Sequence, residues 1–170
     1  AMTYDRVNDM NARLLDIVRQ SNPDRWVVLS SGSWSNIDGL EAVAAPSDSR
    51  VMATLHLYTP FDFTHQGAPW TDQSATGVTW RGAADEAEVT DELERAADYA
   101  ADTAIPVFLR EFGVYEAAAQ SERVDWTRHV REEADRLGIA WCAWDLAGAF
   151  PIYDPDTRLF DPTLRDALLD

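Results

Sequence analysis

The stretch Val51-Met52-Ala53-Thr54-Leu55-His56-Leu57-Tyr58 decides the fold, because it is apolar almost throughout and ends in a histidine and a tyrosine. A continuous apolar run of this length is typical of a strand buried on both faces, as in parallel sheets that helices cover. Three other runs of the same character lie along the chain, at residues 26–30, 105–109 and 139–144. The sequence therefore predicts four buried strands.

Segments with helical spacing of their apolar residues lie between and around these runs. They cover residues 4–20, 85–102, 121–137 and 161–169, with a further short helix near 37–44. Strands joined through helices or long crossings indicate a parallel sheet with right-handed connections. Four such strands are enough for a small open sheet or for half of an eight-stranded barrel. The long segment 59–84, rich in Gly, Pro and Thr, is predicted to be a functional loop.

Size and composition limit the possible functions. A chain of 170 residues predicts a single domain over residues 1–170. Its net charge of -16 argues against a nucleic-acid or anionic-lipid partner. No apolar stretch approaches the length of a membrane span, and we expect a protein that is soluble, whether secreted or cytoplasmic. The single cysteine, Cys142, excludes an intramolecular disulfide and is expected to be a small buried group.

Chemically useful side chains follow the predicted strands in order. Because reactive groups in parallel α/β proteins collect at the carboxyl ends of the strands, these side chains are expected to share one edge of the sheet. The candidates are Ser33, Trp34 and Asn36 after the first strand, His56, Tyr58, His65, Gln66 and Trp70 after the second, Glu111 after the third, and Trp144 and Asp145 after the fourth. Indole faces beside carboxylates are what a carbohydrate site requires, so the sequence favours a sugar-binding or sugar-cleaving protein.

Several short motifs, in this order and spacing, carry a family resemblance across residues 3–169. The chain resembles the carboxyl-terminal half of glycoside hydrolase family 5, the cellulase-type barrel enzymes. The motifs are Asn22-Pro23-Asp24-Arg25, Trp34 to Leu40, His56-Leu57-Tyr58, Phe63-Thr64-His65-Gln66-Gly67, Glu111-Phe112-Gly113, Trp141 to Trp144, and Tyr153-Asp154-Pro155. The resemblance implies half of a TIM (β/α)8 barrel, with about four parallel strands and no cofactor or metal.

The resemblance also implies a role for each candidate residue. Glu111 matches the catalytic nucleophile, which attacks the anomeric carbon in a retaining mechanism. His56 and Tyr58 match the pair that orients this carboxylate. The family's substrate-binding residues, which would contact a β-glucan or an oligosaccharide, are matched by Trp34, His65, Gln66, Trp70 and Trp144.

Two departures from the family pattern concern the chemistry. The Asn-Glu-Pro motif that carries the family's general acid/base is absent, and so are the first four strands. Arg110 also stands where the family usually has Gly. A retaining glycosidase needs a second carboxyl group roughly 5 Å from the nucleophile, so we expect weak hydrolysis or none from this chain alone.

An isolated half barrel would leave one apolar sheet face and two strand edges uncovered. We therefore expect two copies to associate and complete an eight-stranded barrel as a homodimer. Three interpretations remain open at this point: a β-glucan hydrolase that acts as a dimer or together with a missing half, an inactive sugar-binding or vestigial half barrel that self-associates, and a stand-alone α/β domain whose site residues are structural.

Overall fold

A computed structural model describes residues 2–170 and contains four parallel strands in one sheet, in the order β1-β2-β3-β4. The strands are β1 (Val27–Leu29), β2 (Val51–Leu57), β3 (Val107–Phe112) and β4 (Ala140–Trp141). The prediction of four parallel strands is therefore confirmed. The third strand extends beyond its predicted end and includes Glu111, whereas the fourth is shorter than predicted.

The helices are α1 (Tyr4–Ser21), α2 (Ile37–Glu41), α3 (Phe61–Thr64), α4 (Ala83–Thr103), α5 (Gln120–Leu137) and α6 (Pro162–Leu169). Local signals explain several of their ends. The Thr3 side chain accepts a hydrogen bond from the backbone N–H of Arg6 at the start of α1, and Asp161 caps α6 in the same way. Helix α5 begins at Gln120, one residue before its predicted start, and no side chain of residues 2–170 caps it.

The core lies between the sheet and helices α2, α4 and α5. Alternate residues of β2 point into it: Val51, Ala53, Leu55 and Leu57 are at most 1% exposed. They belong to one apolar cluster with residues of α4 and α5 that recur at helical spacing, namely Val89, Leu93, Ala96, Trp126, Val130 and Ala134. This packing fixes the direction of the sheet and therefore the position of its carboxyl edge.

Part of the opposite face of the sheet is exposed, although Thr54 in the central strand β2 is buried. Val28, Arg110, Ala140 and Cys142 are exposed there. The expectation that Cys142 is buried was wrong, because the residue lies beyond β4 in a part of the sheet that no helix covers. The strands form an open sheet and do not close into a barrel.

Two irregular regions complete the chain. The loop after β2 contains only the short helix α3 before α4 begins, as its composition predicted. A hairpin of β5 (Tyr153–Asp154) and β6 (Leu159–Phe160), which the sequence analysis missed, precedes α6. None of the helices within residues 2–170 combines the length and the apolar character that a membrane crossing requires.

Candidate active site

The carboxyl edge of the sheet brings three candidate residues together around one carboxylate. Residue His56 is the register partner of Glu111, so the ends of β2 and β3 place their side chains next to each other. The register shifts between Leu55 and His56, which leaves Arg110 without a partner on β2 and forms a β-bulge. Bulges of this kind re-aim side chains, and here Glu111 lies at the rim of the sheet.

Both oxygens of the Glu111 carboxylate have neighbours. The Tyr58 hydroxyl donates a hydrogen bond to Oε2 over 3.3 Å, and Nδ1 of His56 lies 3.5 Å from the same oxygen. The Arg110 guanidinium donates to Oε1 over 2.8 Å. The side chain of Glu111 is 16% exposed, so the carboxylate is largely sheltered yet open to the rim. This arrangement holds the plane of the carboxylate fixed.

Burial determines the protonation of the two groups beside Glu111. It raises the pKa of the Tyr58 hydroxyl, and the negative charge of Glu111 raises that pKa further, so Tyr58 stays protonated and remains a donor. Burial also lowers the pKa of His56, although Glu111 acts in the opposite direction. A neutral imidazole with its proton on Nδ1 can donate to Glu111, while its Nε2 is buried and has no hydrogen-bond partner within residues 2–170.

Trp34 lies on a tight turn, Ser33–Ser35, directly after β1, and its side chain is 92% exposed. The turn packs against β2, the strand that carries His56, and so lies close to the cluster around Glu111. The indole is available to a ligand over nearly its whole surface.

Trp144 follows β4 and is half-exposed beside the end of β3. Its backbone N–H donates to the carbonyl of Phe112 over 2.8 Å, which continues the sheet pairing past the end of β4. The carbonyl of Trp144 lies so close to Gly113 that a Cβ at position 113 would collide with it. Glycine at this position therefore permits the approach that places Trp144 next to the end of β3, the strand that carries Glu111.

Gln66 holds the long loop together from within. Its Nε2 donates to the carbonyls of Phe63 and Val78, and its Oε1 accepts from the N–H groups of Gly77 and Val78. The side chain is 1% exposed and every polar position is used. In this conformation Gln66 shapes the loop, and its amide is not presented to a ligand.

His65 is also buried, in an aromatic cluster at the base of the loop. Its ring stacks on Phe61 at a centroid distance of 4.1 Å and meets Tyr58 edge-on at 4.8 Å. Burial lowers the pKa of His65 to about 4, so its ring is neutral at pH 7. The sequence analysis missed Phe150, which contacts both His65 and Tyr58, because it lies in an irregular segment without periodicity.

Trp70 is half-exposed at the outer side of this cluster. Its ring meets Tyr115 edge-on at 5.0 Å and lies 6.1 Å from Phe150. Trp34, Trp70 and Trp144 thus offer three exposed indoles on elements that surround the carboxyl edge. Within residues 2–170, no group of three or more His, Cys, Asp or Glu side chains is arranged to hold a metal ion.

Solved structures with the same arrangement are barrel enzymes. An endoglucanase superposes with a TM-score of 0.94 and 30% identity over 99% of this chain and 55% of its own. Cel5A of Thermotoga maritima, in complex with cellobiose, gives a TM-score of 0.95 with 26% identity, and 56% of its chain is covered. The four-stranded sheet is therefore half of a TIM barrel.

Sequence comparisons agree with this class. The family model described as Cellulase (glycosyl hydrolase family 5) matches residues 1–149, and the chain belongs to this family. Endoglucanase H of Acetivibrio thermocellus is 32% identical over 98% of this chain, which corresponds to 18% of that protein. Endoglucanase 3 of Fibrobacter succinogenes is 23% identical over 83% of this chain and 26% of its own length. The chain thus spans well under half the length of these two relatives.

Proposed function

We propose that this chain provides the nucleophile side of a retaining β-1,4-glucan hydrolase site. Glu111 attacks the anomeric carbon, the bond from this carbon to the leaving oxygen breaks, and a covalent glycosyl ester forms. Water then hydrolyses the ester, which releases the sugar and the free carboxylate. The observation that carries the proposal is the carboxylate of Glu111 at the sheet rim, where Tyr58 bonds Oε2 and His56 lies beside it. The endoglucanase names of the relatives support the substrate class.

The exposed indoles supply the sugar-binding surfaces in this proposal. Trp34, Trp70 and Trp144 present apolar faces on which the C–H faces of sugar rings pack. Gln66 and His65 belong to the same cleft and contribute by fixing the loop that carries Trp70. The ligand is a β-glucan or an oligosaccharide derived from one.

The proposed chemistry is incomplete within this chain. Cleavage of an unactivated glycosidic bond requires a carboxylic acid roughly 5 Å from the nucleophile to protonate the leaving oxygen. The family resemblance assigns no residue of this chain to the acid/base position. The Asp145 carboxylate acts electrostatically on Tyr58, but its Oδ1 accepts from the N–H groups of Gly148 and Phe150. We therefore expect weak hydrolysis of cellulose or none from the chain alone.

An activated substrate tests the nucleophile without the missing acid. A 2,4-dinitrophenyl 2-deoxy-2-fluoro-β-cellobioside carries a leaving group that needs no protonation, and its fluorine slows the hydrolysis of the ester. We expect intact-mass spectrometry to show one fluorocellobiosyl adduct, mapped by peptide digestion to Glu111. Glu111→Gln should form no adduct, whereas the exposed Glu116→Gln serves as the matched control and should react like the wild type. A wild-type chain that binds cellohexaose and forms no adduct refutes the proposal.

The second candidate function is sugar binding without catalysis. It is favoured by the three exposed indoles, together with the expectation that no residue of this chain takes the acid/base position. Binding of cellohexaose, measured by calorimetry, without any adduct supports this candidate. If neither binding nor an adduct is observed, the site residues are structural in a stand-alone α/β domain.

We also propose that a second copy covers the open face and the free edges of the sheet. The edge strand β1 is flanked by the exposed apolar side chains of Leu14, Ile17, Trp26 and Val28. A twofold pairing would join two half barrels, and an obligate interface of this kind buries about 2,000 Å² or more. Two chains of charge -16 repel each other, so the association should tighten at high salt. Sedimentation equilibrium at 0.05 and 1 M NaCl tests this, and a folded monomer at micromolar concentration in both refutes it.

A further inference from the structure

The turn Ser33–Ser35 has a backbone conformation that its residues do not favour. Ser33, Trp34 and Ser35 have φ values of 53°, 53° and 58°, all in the left-handed region. This region is unfavourable for residues with a Cβ atom, and runs of it are rare. Such a conformation persists only where its surroundings determine it, and these surroundings often serve a functional site.

One side of the turn rests on Tyr4, in the first turn of helix α1. The Tyr4 hydroxyl and Oγ of Ser33 form a hydrogen bond of 3.0 Å. The Tyr4 ring also lies flush against Gly32, since a Cβ at position 32 would be 2.7 Å from Cδ1 of the ring. Only glycine leaves room for this contact, so Tyr4 fixes both the first turn residue and the one before it.

The other side of the turn is held by its own backbone and by Ser35. The N–H of Ser35 donates to the carbonyl of Gly32 over 3.0 Å, and the N–H of Asn36 donates to the carbonyl of Ser33 over 3.1 Å. Ser35 is buried, and its Oγ accepts from the N–H of Ser31 over 3.2 Å. The Trp34 indole has no comparable support, because it projects into solvent.

We propose that Tyr4 is a positioning residue, which holds the left-handed turn Ser33–Ser35 and so presents the Trp34 indole to a sugar ring. The sugar-binding part of this inference rests on the proposed function, while the control of the turn by Tyr4 does not. Tyr4 itself is 38% exposed, so it adds little to the core, and its hydroxyl bonds only Ser33 among the described residues. A rigid platform binds more tightly than a mobile one, because less conformational freedom is lost on binding.

Hydrogen exchange tests the control of the turn without any ligand. The amides of Ser35 and Asn36 report on the two hydrogen bonds that close it. We expect Tyr4→Ala to speed their exchange about tenfold or more, and Tyr4→Phe or Ser33→Ala to speed it about threefold, since these remove only the side-chain hydrogen bond. Tyr153→Ala, in the remote hairpin β5–β6, is the matched control and should leave both amides unchanged. Unchanged exchange in a folded Tyr4→Ala chain overturns the proposal.

Calorimetric binding of cellohexaose tests the consequence for the ligand. We expect Tyr4→Ala to weaken binding about tenfold and to have little further effect in a Trp34→Ala background, because the two residues act through the same contact. If the amides of Ser35 and Asn36 exchange faster in Tyr4→Ala while its affinity for cellohexaose is unchanged, the proposed link between the turn and sugar binding is overturned. If the wild type does not bind cellohexaose at all, the proposed function fails, and the exchange measurement alone decides whether Tyr4 positions the turn.

Discussion

The guanidinium of Arg110 lies 2.8 Å from Oε1 of Glu111, the next residue along β3. Side chains of consecutive strand residues normally point to opposite faces, and the β-bulge at Arg110 is what allows this pair to form. The ion pair occupies the one carboxylate oxygen that Tyr58 and His56 leave free. Arg110 therefore competes with a substrate for the group that we propose as the nucleophile.

Replacing Arg110 by Gln should make Glu111 a faster nucleophile. The guanidinium stabilises the negative charge of the free carboxylate, and this charge is lost when the glycosyl ester forms, so Arg110 favours the ground state over the transition state. We expect labelling of Glu111 by the fluorocellobioside to accelerate about three- to tenfold. Because Arg110 is half-exposed, molar salt should accelerate the wild type in the same direction.

The labelling rates of Arg110→Gln and of the exposed control Arg128→Gln can be measured side by side by intact-mass spectrometry. Arg128 pairs with Asp125 on the surface of α5, away from Glu111, and should have no effect. Slower labelling of Arg110→Gln would contradict the prediction and would assign Arg110 an orienting role instead.

The sequence predicted the edge of the sheet at which the candidate site lies, because four apolar runs define the strands and the polar residues that follow them share one rim. It also placed Glu111, His56 and Tyr58 together through the family resemblance, and the structure brings these three into contact. The Arg110 contact was not predicted, since it depends on a register shift that no residue pattern encodes. Cys142 was misjudged because an apolar run does not show which face of its strand a neighbouring element covers.

The long loop shows a similar limit. Its length and composition predicted an irregular segment, but nothing in the pattern indicates that Gln66 bonds to Gly77 and Val78, more than ten residues further on. Such contacts form because the loop folds back on itself and brings residues 77 and 78 next to Gln66. For the same reason the aromatic cluster around Phe150 was invisible in the sequence.

Gln66→Glu should open this loop. Glutamate keeps the one oxygen that accepts from the N–H groups of Gly77 and Val78 but replaces Nε2 by a second oxygen, which then faces the carbonyls of Phe63 and Val78. A buried carbonyl that has lost its hydrogen-bond donor lowers the free energy of unfolding by about 1–3 kcal/mol. We expect limited proteolysis to cut between residues 67 and 80 several times faster than in the wild type.

The exposed Gln20→Glu on helix α1 adds the same negative charge and serves as the control for this change. Its proteolysis pattern should match that of the wild type. If both variants are cut at equal rates in the loop, the amide of Gln66 does not hold the segment.

Two fully buried threonines should respond oppositely to replacement by valine. The Oγ1 of Thr54 has no hydrogen-bond partner among the described residues, so Thr54→Val removes a buried unsatisfied hydroxyl and should raise the free energy of unfolding by about 1 kcal/mol. The Oγ1 of Thr64 donates to the carbonyl of Tyr58 over 2.7 Å and also lies 3.0 Å from Nδ1 of His65. Thr64→Val should therefore lower the same free energy by about 1–3 kcal/mol. Urea unfolding measures both, and equal destabilisation would show that Thr54 has a partner such as a buried water.

His65 should make the fold less stable in mild acid. Burial lowers its pKa from 6.5 to about 4, so between these values the unfolded chain binds a proton that the folded chain does not. The free energy of unfolding therefore falls as the pH drops from about 6.5 to about 4, by at most about 1.4 kcal/mol per pH unit for this group. His65→Phe keeps an aromatic ring against Phe61 and removes the titration. Urea unfolding at pH 7, 5.5 and 4.5 measures this. The free energy of unfolding of the variant should rise relative to that of the wild type as the pH falls, because the acidic residues titrate alike in both. Parallel curves would mean that the ring of His65 becomes protonated in the folded protein as easily as in the unfolded one, with the histidine turned out of the aromatic cluster.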